Sequence, residues 1–301
     1  MSNKLITIIG PTAIGKTSLS IDIANHFGCD ILSCDSRQFY KELLIGTAPP
    51  SPEEQALAPH HFIHDRSIFD DYSVGDYEND AIELLDKIYI EKDKAVLIGG
   101  SGLYVDAVLK GFDNFPDLPE EIRPQLQKDL DEKGLAFLQE KLKELDPEYY
   151  GIVDIQNHQR VIRALEVCIG TGKTFTEFRV RENKKRNFEP IKIGLNIDRE
   201  KLYERINLRV DLMMEAGLLE EAEKMYRHKH LNSLQTVGYR ELFKYFDGNH
   251  DLDFAVSEIK KNTRRFAKRQ LTWFRKDKEI KWFEPNQKDE IIEYIEKMLA
   301  S

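Results

Sequence analysis

Residues 10–17, Gly10-Pro11-Thr12-Ala13-Ile14-Gly15-Lys16-Thr17, fit the spacing G-x-x-x-x-G-K-[ST]. Each residue type there answers a need of a bound phosphate. Glycines let backbone N–H groups turn inward around phosphate oxygens, and a helix starting behind them adds partial positive charge. Lys16 supplies a full charge to the terminal phosphate, and the Thr17 hydroxyl can ligate Mg²⁺. The loop alone leaves open whether its ligand is a nucleoside triphosphate or another diphosphate. A second group follows at Asp35-Ser36-Arg37-Gln38. A carboxylate there can hold Mg²⁺ through water or accept a proton from a nucleophile; its ordinary structural use is to cap a turn. Arg37 and Gln38 are residue types able to read base edges. A third group, Gly99-Gly100-Ser101-Gly102, can bring backbone N–H groups and the Ser101 hydroxyl to the same crevice.

These groups matter only if the chain brings them together. Apolar runs bounded by turn signals predict buried strands at 5–9, 30–33, 94–98 and 191–197. Helical periodicity lies between them, at 16–27 and 74–90. Strands alternating with helices imply an α/β fold with a mostly parallel sheet covered on both faces. In such sheets ligands sit beyond the carboxyl ends of the strands, which is where all three groups fall. From about residue 114 the character changes. The turn-rich Phe115-Pro116-Asp117-Leu118-Pro119 leads into charged helical sequence to about 181, then a basic polar stretch at 181–187. The expected organisation is a core of 1–113 and 191–301, interrupted by a helical insertion at 114–190. The last hundred or so residues are expected to be mainly helical.

A chain of 301 residues that is 41% hydrophobic and 10% aromatic can bury a sizeable core, which excludes wholesale disorder. No apolar run approaches the roughly 18 residues of a spanning helix, so no membrane partner is expected. The start carries no signal-peptide pattern, and Cys29, Cys34 and Cys168 form no CxxC pair. Buried reduced thiols and a cytoplasmic location are expected. His60, His61 and His64 lack a fourth ligand of suitable spacing, so no zinc site is expected. The net charge of −9 hides one basic segment. Between 258 and 278 nine Lys or Arg face only Glu258 and Asp277. Lys261, Arg264, Arg265, Lys268 and Arg269 recur at helical spacing and are expected to face nucleic-acid phosphates, with Phe266, Trp273 and Phe274 as core. Arg160 and Arg163 share a helix face that is either a ligand surface or simply solvated. Arg205 and Arg209 follow the last predicted strand and can reach the phosphate loop as lid arginines do.

Taken in order, the motifs resemble the tRNA dimethylallyltransferases, also called isopentenyltransferases. The resemblance is carried by GPTAIGKT at 10–17, DSRQFY at 35–40, IGTA at 45–48, HHFI at 60–63, YSV at 72–74 and GGSGLY at 99–104. It continues with QRVIRALEV at 159–167, RVDLMMEAGLLEE at 209–221, VGYRE at 237–241 and TRRFAKRQLTWFR at 263–275. It implies a phosphate-loop, kinase-like α/β core with a helical tRNA-binding insertion. The implied reaction moves a dimethylallyl group from dimethylallyl diphosphate to N6 of the adenosine 3′ of a tRNA anticodon. Residues 10–17 then hold the donor diphosphate rather than ATP, and Lys16 with Thr17-bound Mg²⁺ neutralises the leaving pyrophosphate. Asp35 takes the proton from N6, while Ser36, Arg37 and Gln38 hold the adenine. Ser101, Arg123 and the segment Gln159, Arg160, Val161, Ile162, Arg163 correspond to tRNA contacts, to which Lys268 and Arg269 add phosphate contacts. The partners implied are the tRNA anticodon stem-loop and dimethylallyl diphosphate, the cofactor Mg²⁺, and the enzyme a monomer. Ser101 stands where the family usually has Thr, and Pro49 replaces a usual Lys. The absence of a zinc-finger extension before Ser301 fits a bacterial form.

Three rivals stay open at this level. An adenylate isopentenyltransferase would use similar chemistry on free nucleotides but needs neither the insertion nor the basic helix. A small-molecule kinase would turn over ATP at the same loop. A nucleic-acid-binding protein with a vestigial site has no use for Lys16, Thr17 and Asp35.

Overall fold

The computed structural model describes residues 3–113, 115–179 and 184–300. Six strands form one sheet: β1 (Asn3–Ile9), β2 (Asp30–Ser33), β3 (His60–His61), β4 (Lys94–Gly99), β5 (Phe188–Leu195) and β6 (Lys281–Phe283). Their order is β3-β2-β4-β1-β5-β6, with every pairing parallel. Central β1 is apolar from Leu5 to Ile9 but for the buried Thr7, because both faces are covered. Ile6 and Ile8 point to the face carrying helix Lys16–Phe27 and the C-terminal Ile291 and Ile295. Leu5 and Ile9 point to the other, where Tyr77, Leu85, Val105 and Val108 cover them.

The expected strands at 5–9, 30–33 and 94–98 lie within β1, β2 and β4. The one expected at 191–197 runs instead from Phe188 to Leu195. It begins earlier because Pro190 is tolerated there: β5 meets β6 only from Ile193 onward, so the missing N–H of Pro190 faces no strand. Strands β3 and β6, two and three residues long, are too short to leave a period in the sequence. Helix Lys16–Phe27 ends where expected, at Gly28 in the left-handed region with φ 65°. Helix Val74–Glu91 opens on a reciprocal cap between Ser73 and Asp76.

The chain divides into two compact units, Met1–Leu109 with Lys185–Ser301, and Lys110–Lys184. In the second, helices Ile122–Lys133, Leu135–Leu145 and His158–Thr171 close around Leu126, Leu138, Leu142, Val161, Ile162 and Leu165. Its limits differ by a few residues from the expected 114–190. Residue 114 and residues 180–183, which take in part of the basic stretch at 181–187, lie outside the described residues. All three cysteines are buried and free. No helix among the described residues is long and apolar enough to cross a membrane.

Candidate active site

The loop after β1 is shaped by close approaches. A Cβ on Gly10 would lie 2.8 Å from the Leu195 carbonyl oxygen, and Gly15 adopts φ 102° at the helix N-cap. The first turn of helix Lys16–Phe27 carries no acidic residue and no side-chain cap, so its N–H groups remain available to an anion. Lys16 Nζ folds back to donate to the carbonyls of Gly10 at 3.1 Å and Pro11 at 2.8 Å. Burial pushes the Lys16 pKa down to about 8; the Asp35 charge raises it and the Arg209 charge lowers it.

Beyond β2, Asp35 accepts from the Arg37 N–H at 3.1 Å. Ser101 reaches this loop: its Oγ accepts from the Ser36 N–H and donates to Ser36 Oγ, both at 3.3 Å. Arg37 donates through Nη1 to the Asn232 and Ser233 carbonyls, each at 3.1 Å. Gln38 accepts from Ser33 Oγ at 3.2 Å and donates to the carbonyls of Thr47 at 3.3 Å and Ala48 at 3.1 Å. Both side chains, expected at base edges, thus spend polar atoms on building the wall of the site.

Helix Arg199–Glu215 supplies the facing wall. Arg205, Leu208, Arg209 and Leu212 recur every three or four residues and line one face. Arg205 donates to the Ile14 carbonyl at 3.2 Å and Arg209 to that of Thr47 at 3.4 Å. These groups enclose a cavity of about 350 Å³, lined by residues 12–17, Asp35, Gln38, Arg205 and Arg209. Ala48, Pro50, Ile63, Leu208 and Leu212 form its apolar side. Burial lowers the Arg209 pKa, and Asp35 opposes that shift. Three cations and one carboxylate therefore share a confined space.

Two polar clamps escaped the sequence reading. Gln270 joins the phosphate loop to the glycine loop after β4, accepting from Thr12 and donating to Gly100. Glu221 accepts from the N–H groups of Leu44, Ile45 and Gly46 at 2.8–2.9 Å and from the Tyr239 hydroxyl at 2.5 Å. Their only signal was a polar residue at a buried helical register. The three histidines go separate ways. His60 lines the cavity with Nδ1 2.8 Å from the Ala58 carbonyl, while His61 pairs with Asp30 at 2.8 Å. Among the described residues no three or more His, Cys, Asp or Glu gather to hold a metal.

The long helix Leu252–Phe274 exposes Lys268 and Arg269. Arg269 lies 5.6 Å over the Phe266 ring, and burial with neighbouring Arg240 and Arg265 holds its pKa down. Lys261 is paired with Glu258 at 2.8 Å, and Arg264 donates to Asn207 at 2.6 Å. The expected aromatic core needs correction. Phe274 is 3% exposed, but Phe266 is 36% and Trp273 38% exposed. Trp273 stays outside because its Nε1 donates to Asp106 at 2.9 Å and its ring packs on the bare backbone of Gly102.

In the unit Lys110–Lys184, Gln159 and Arg160 are exposed at the start of helix His158–Thr171. Val161 and Ile162, expected to touch RNA, are 0% and 1% exposed. Their side chains belong to the core of that unit and hold the helix in place. Arg123 makes a bidentate pair with buried Glu166 at 2.6 and 2.9 Å. Arg163 approaches the same carboxylate at 3.6 Å and lies 5.2 Å over the Phe115 ring. Two guanidiniums on one carboxylate leave a surplus positive charge.

Known proteins resemble this chain over most of its length. The family model for IPP transferase matches residues 38–277. The tRNA dimethylallyltransferase of Flavobacterium johnsoniae is 56% identical over 304 residues, covering 99% of this chain and 98% of its own. That of Christiangramia forsetii is 59% identical over 297 residues and 98% of each. The full-length tRNA isopentenylpyrophosphate transferase of Bacillus halodurans superposes with a TM-score of 0.74 at 36% identity, over 99% of this chain and 97% of that one. A eukaryotic dimethylallyltransferase solved acting on tRNA superposes at 0.76 and 25% identity, over 91% of this chain and 70% of that one. The chain belongs to the IPP transferase family of tRNA dimethylallyltransferases.

Proposed function

We propose that the chain transfers a dimethylallyl group from dimethylallyl diphosphate to N6 of the adenosine 3′ of a tRNA anticodon, releasing diphosphate. The observation that carries this reading is the cavity in which Lys16, Arg205 and Arg209 converge beside Asp35. Three cations suit a departing pyrophosphate, and the carboxylate suits a proton leaving the attacking amine. The N6 lone pair forms the new C–N bond as the allylic C–O bond breaks. The N6 proton passes to Asp35, and the bonding electrons leave on the diphosphate. Ala48, Pro50, Ile63, Leu208 and Leu212 offer an apolar surface to the prenyl tail. Thr17 is a hard oxygen donor on the cavity wall and fits Mg²⁺, which when bound would share the charge of the diphosphate.

The RNA partner in this reading is the anticodon stem-loop, met by Lys268 and Arg269 and by the arginines of the insertion. The target adenine leaves its stack at a cost of a few kcal/mol. The reading includes a monomer working in the cytoplasm, and the three free cysteines support that compartment. The test is transfer of radiolabelled dimethylallyl diphosphate to an unmodified anticodon stem-loop, beside free AMP, with and without Mg²⁺. Label on the RNA alone bears out the proposal. Label on AMP refutes the RNA substrate, and ATP hydrolysis without transfer returns the loop to kinase chemistry.

A further inference from the structure

Gln270 sits on the inner side of helix Leu252–Phe274 and is 6% exposed. Its amide is used at both ends. The Thr12 N–H donates to Oε1 at 2.9 Å, and Nε2 donates to the Gly100 carbonyl at 3.0 Å. The fit leaves no slack, since a Cβ on Gly100 would lie 2.2 Å from Nε2. Gly100 leads directly into Ser101, which is hydrogen-bonded to Ser36 beside Asp35. One buried side chain thus fixes the spacing between the loop that receives phosphate and the loop that reaches the carboxylate. Its chain neighbours Lys268 and Arg269 face outward on the same helix.

We propose that Gln270 is a positioning residue for the donor. Through Thr12 it holds the phosphate loop in the form that accepts a diphosphate, and through Gly100 it keeps that loop in register with Ser101 and Ser36. This rests on the reading of the cavity as a diphosphate site. Two variants and two probes test it. Inorganic pyrophosphate binding and the KM for dimethylallyl diphosphate report on the loop, and anticodon stem-loop binding reports on the helix. Gln270→Met keeps the length and loses both hydrogen bonds. Pyrophosphate affinity should fall about tenfold, with a matching rise in donor KM, while stem-loop affinity stays within about twofold. Gln270→Glu supplies a charged carboxylate to the Gly100 carbonyl at high pH, but a protonated carboxyl can make both original bonds. Its deficit relative to the wild type should therefore shrink as pH falls toward ~5.5. Unchanged pyrophosphate affinity in Gln270→Met would overturn the proposal. So would a parallel loss of pyrophosphate and stem-loop binding, which marks a general structural role. A wild-type protein that binds no pyrophosphate would instead remove the diphosphate reading beneath it.

Discussion

Lys16 offers the sharpest quantitative test of the cavity. Burial holds its pKa at about 8 in the ligand-free protein, against an ordinary 10.5. A diphosphate beside it restores the preference for charge, so binding takes up protons at pH values between about 8 and the higher pKa of the complex. The contribution of Lys16 to affinity is fully present below that pH and is lost as pH rises through it toward the pKa of the complex. From the protonated fraction, that contribution should fall about tenfold between ~pH 7 and ~pH 9. Pyrophosphate titrates in the same range, so the quantity to measure is the ratio of wild-type to Lys16→Met affinity, by calorimetry at several pH values. Free-ligand protonation cancels in that ratio. A ratio constant across the window would refute the argument that burial controls this lysine, and a rising ratio would reverse its sign. Stability supplies a second reading. A lysine depressed from 10.5 to about 8 costs the ligand-free fold up to about 3 kcal/mol at neutral pH, a cost relieved as pH rises toward 10.5. Lys16→Met should therefore be more stable than the wild type near neutrality, with the gap closing in alkali.

Three further outcomes are expected. Asp35→Asn should lower single-turnover prenyl transfer by at least ~10²-fold while stem-loop affinity is kept; near-normal transfer would remove Asp35 from proton acceptance. Lys268→Ala combined with Arg269→Ala should weaken stem-loop binding and flatten the slope of log K against log salt by about one to two; an unchanged slope means this face is only solvated. Glu221→Gln turns an acceptor of three backbone N–H groups and one hydroxyl into a group with two donors of its own. It should cost about 3 kcal/mol in denaturant unfolding, and an unmoved midpoint would show that loop 44–46 is held by other contacts.

What the sequence announces and what it conceals divide along physical lines. The phosphate loop is legible because its geometry demands residue types that little else demands, glycine at Gly10 and Gly15 and a cation followed by a hydroxyl. β1, β2 and β4 are legible because strands buried on both faces must be continuously apolar. Arg37 and Gln38 were legible as polar and near the site, yet their task was not, because a guanidinium or amide can serve a ligand or a backbone carbonyl equally well. Only the positions of Asn232, Ser233, Thr47 and Ala48 decide between them. The aromatics of the basic helix misled for a related reason. Helical spacing states that Phe266 and Trp273 share a side, but not which side meets solvent, and Trp273 is drawn to Asp106 across 167 positions of chain. Gln270 and Glu221 are the hardest class. Each reaches segments 170 or more residues away, so no local pattern records them. A buried amide or carboxylate is tolerated only where partners satisfy it. A polar residue at a core register is therefore a sequence-level sign that a distant backbone must come to meet it, and the backbone that meets Gln270 lines the cavity at Thr12.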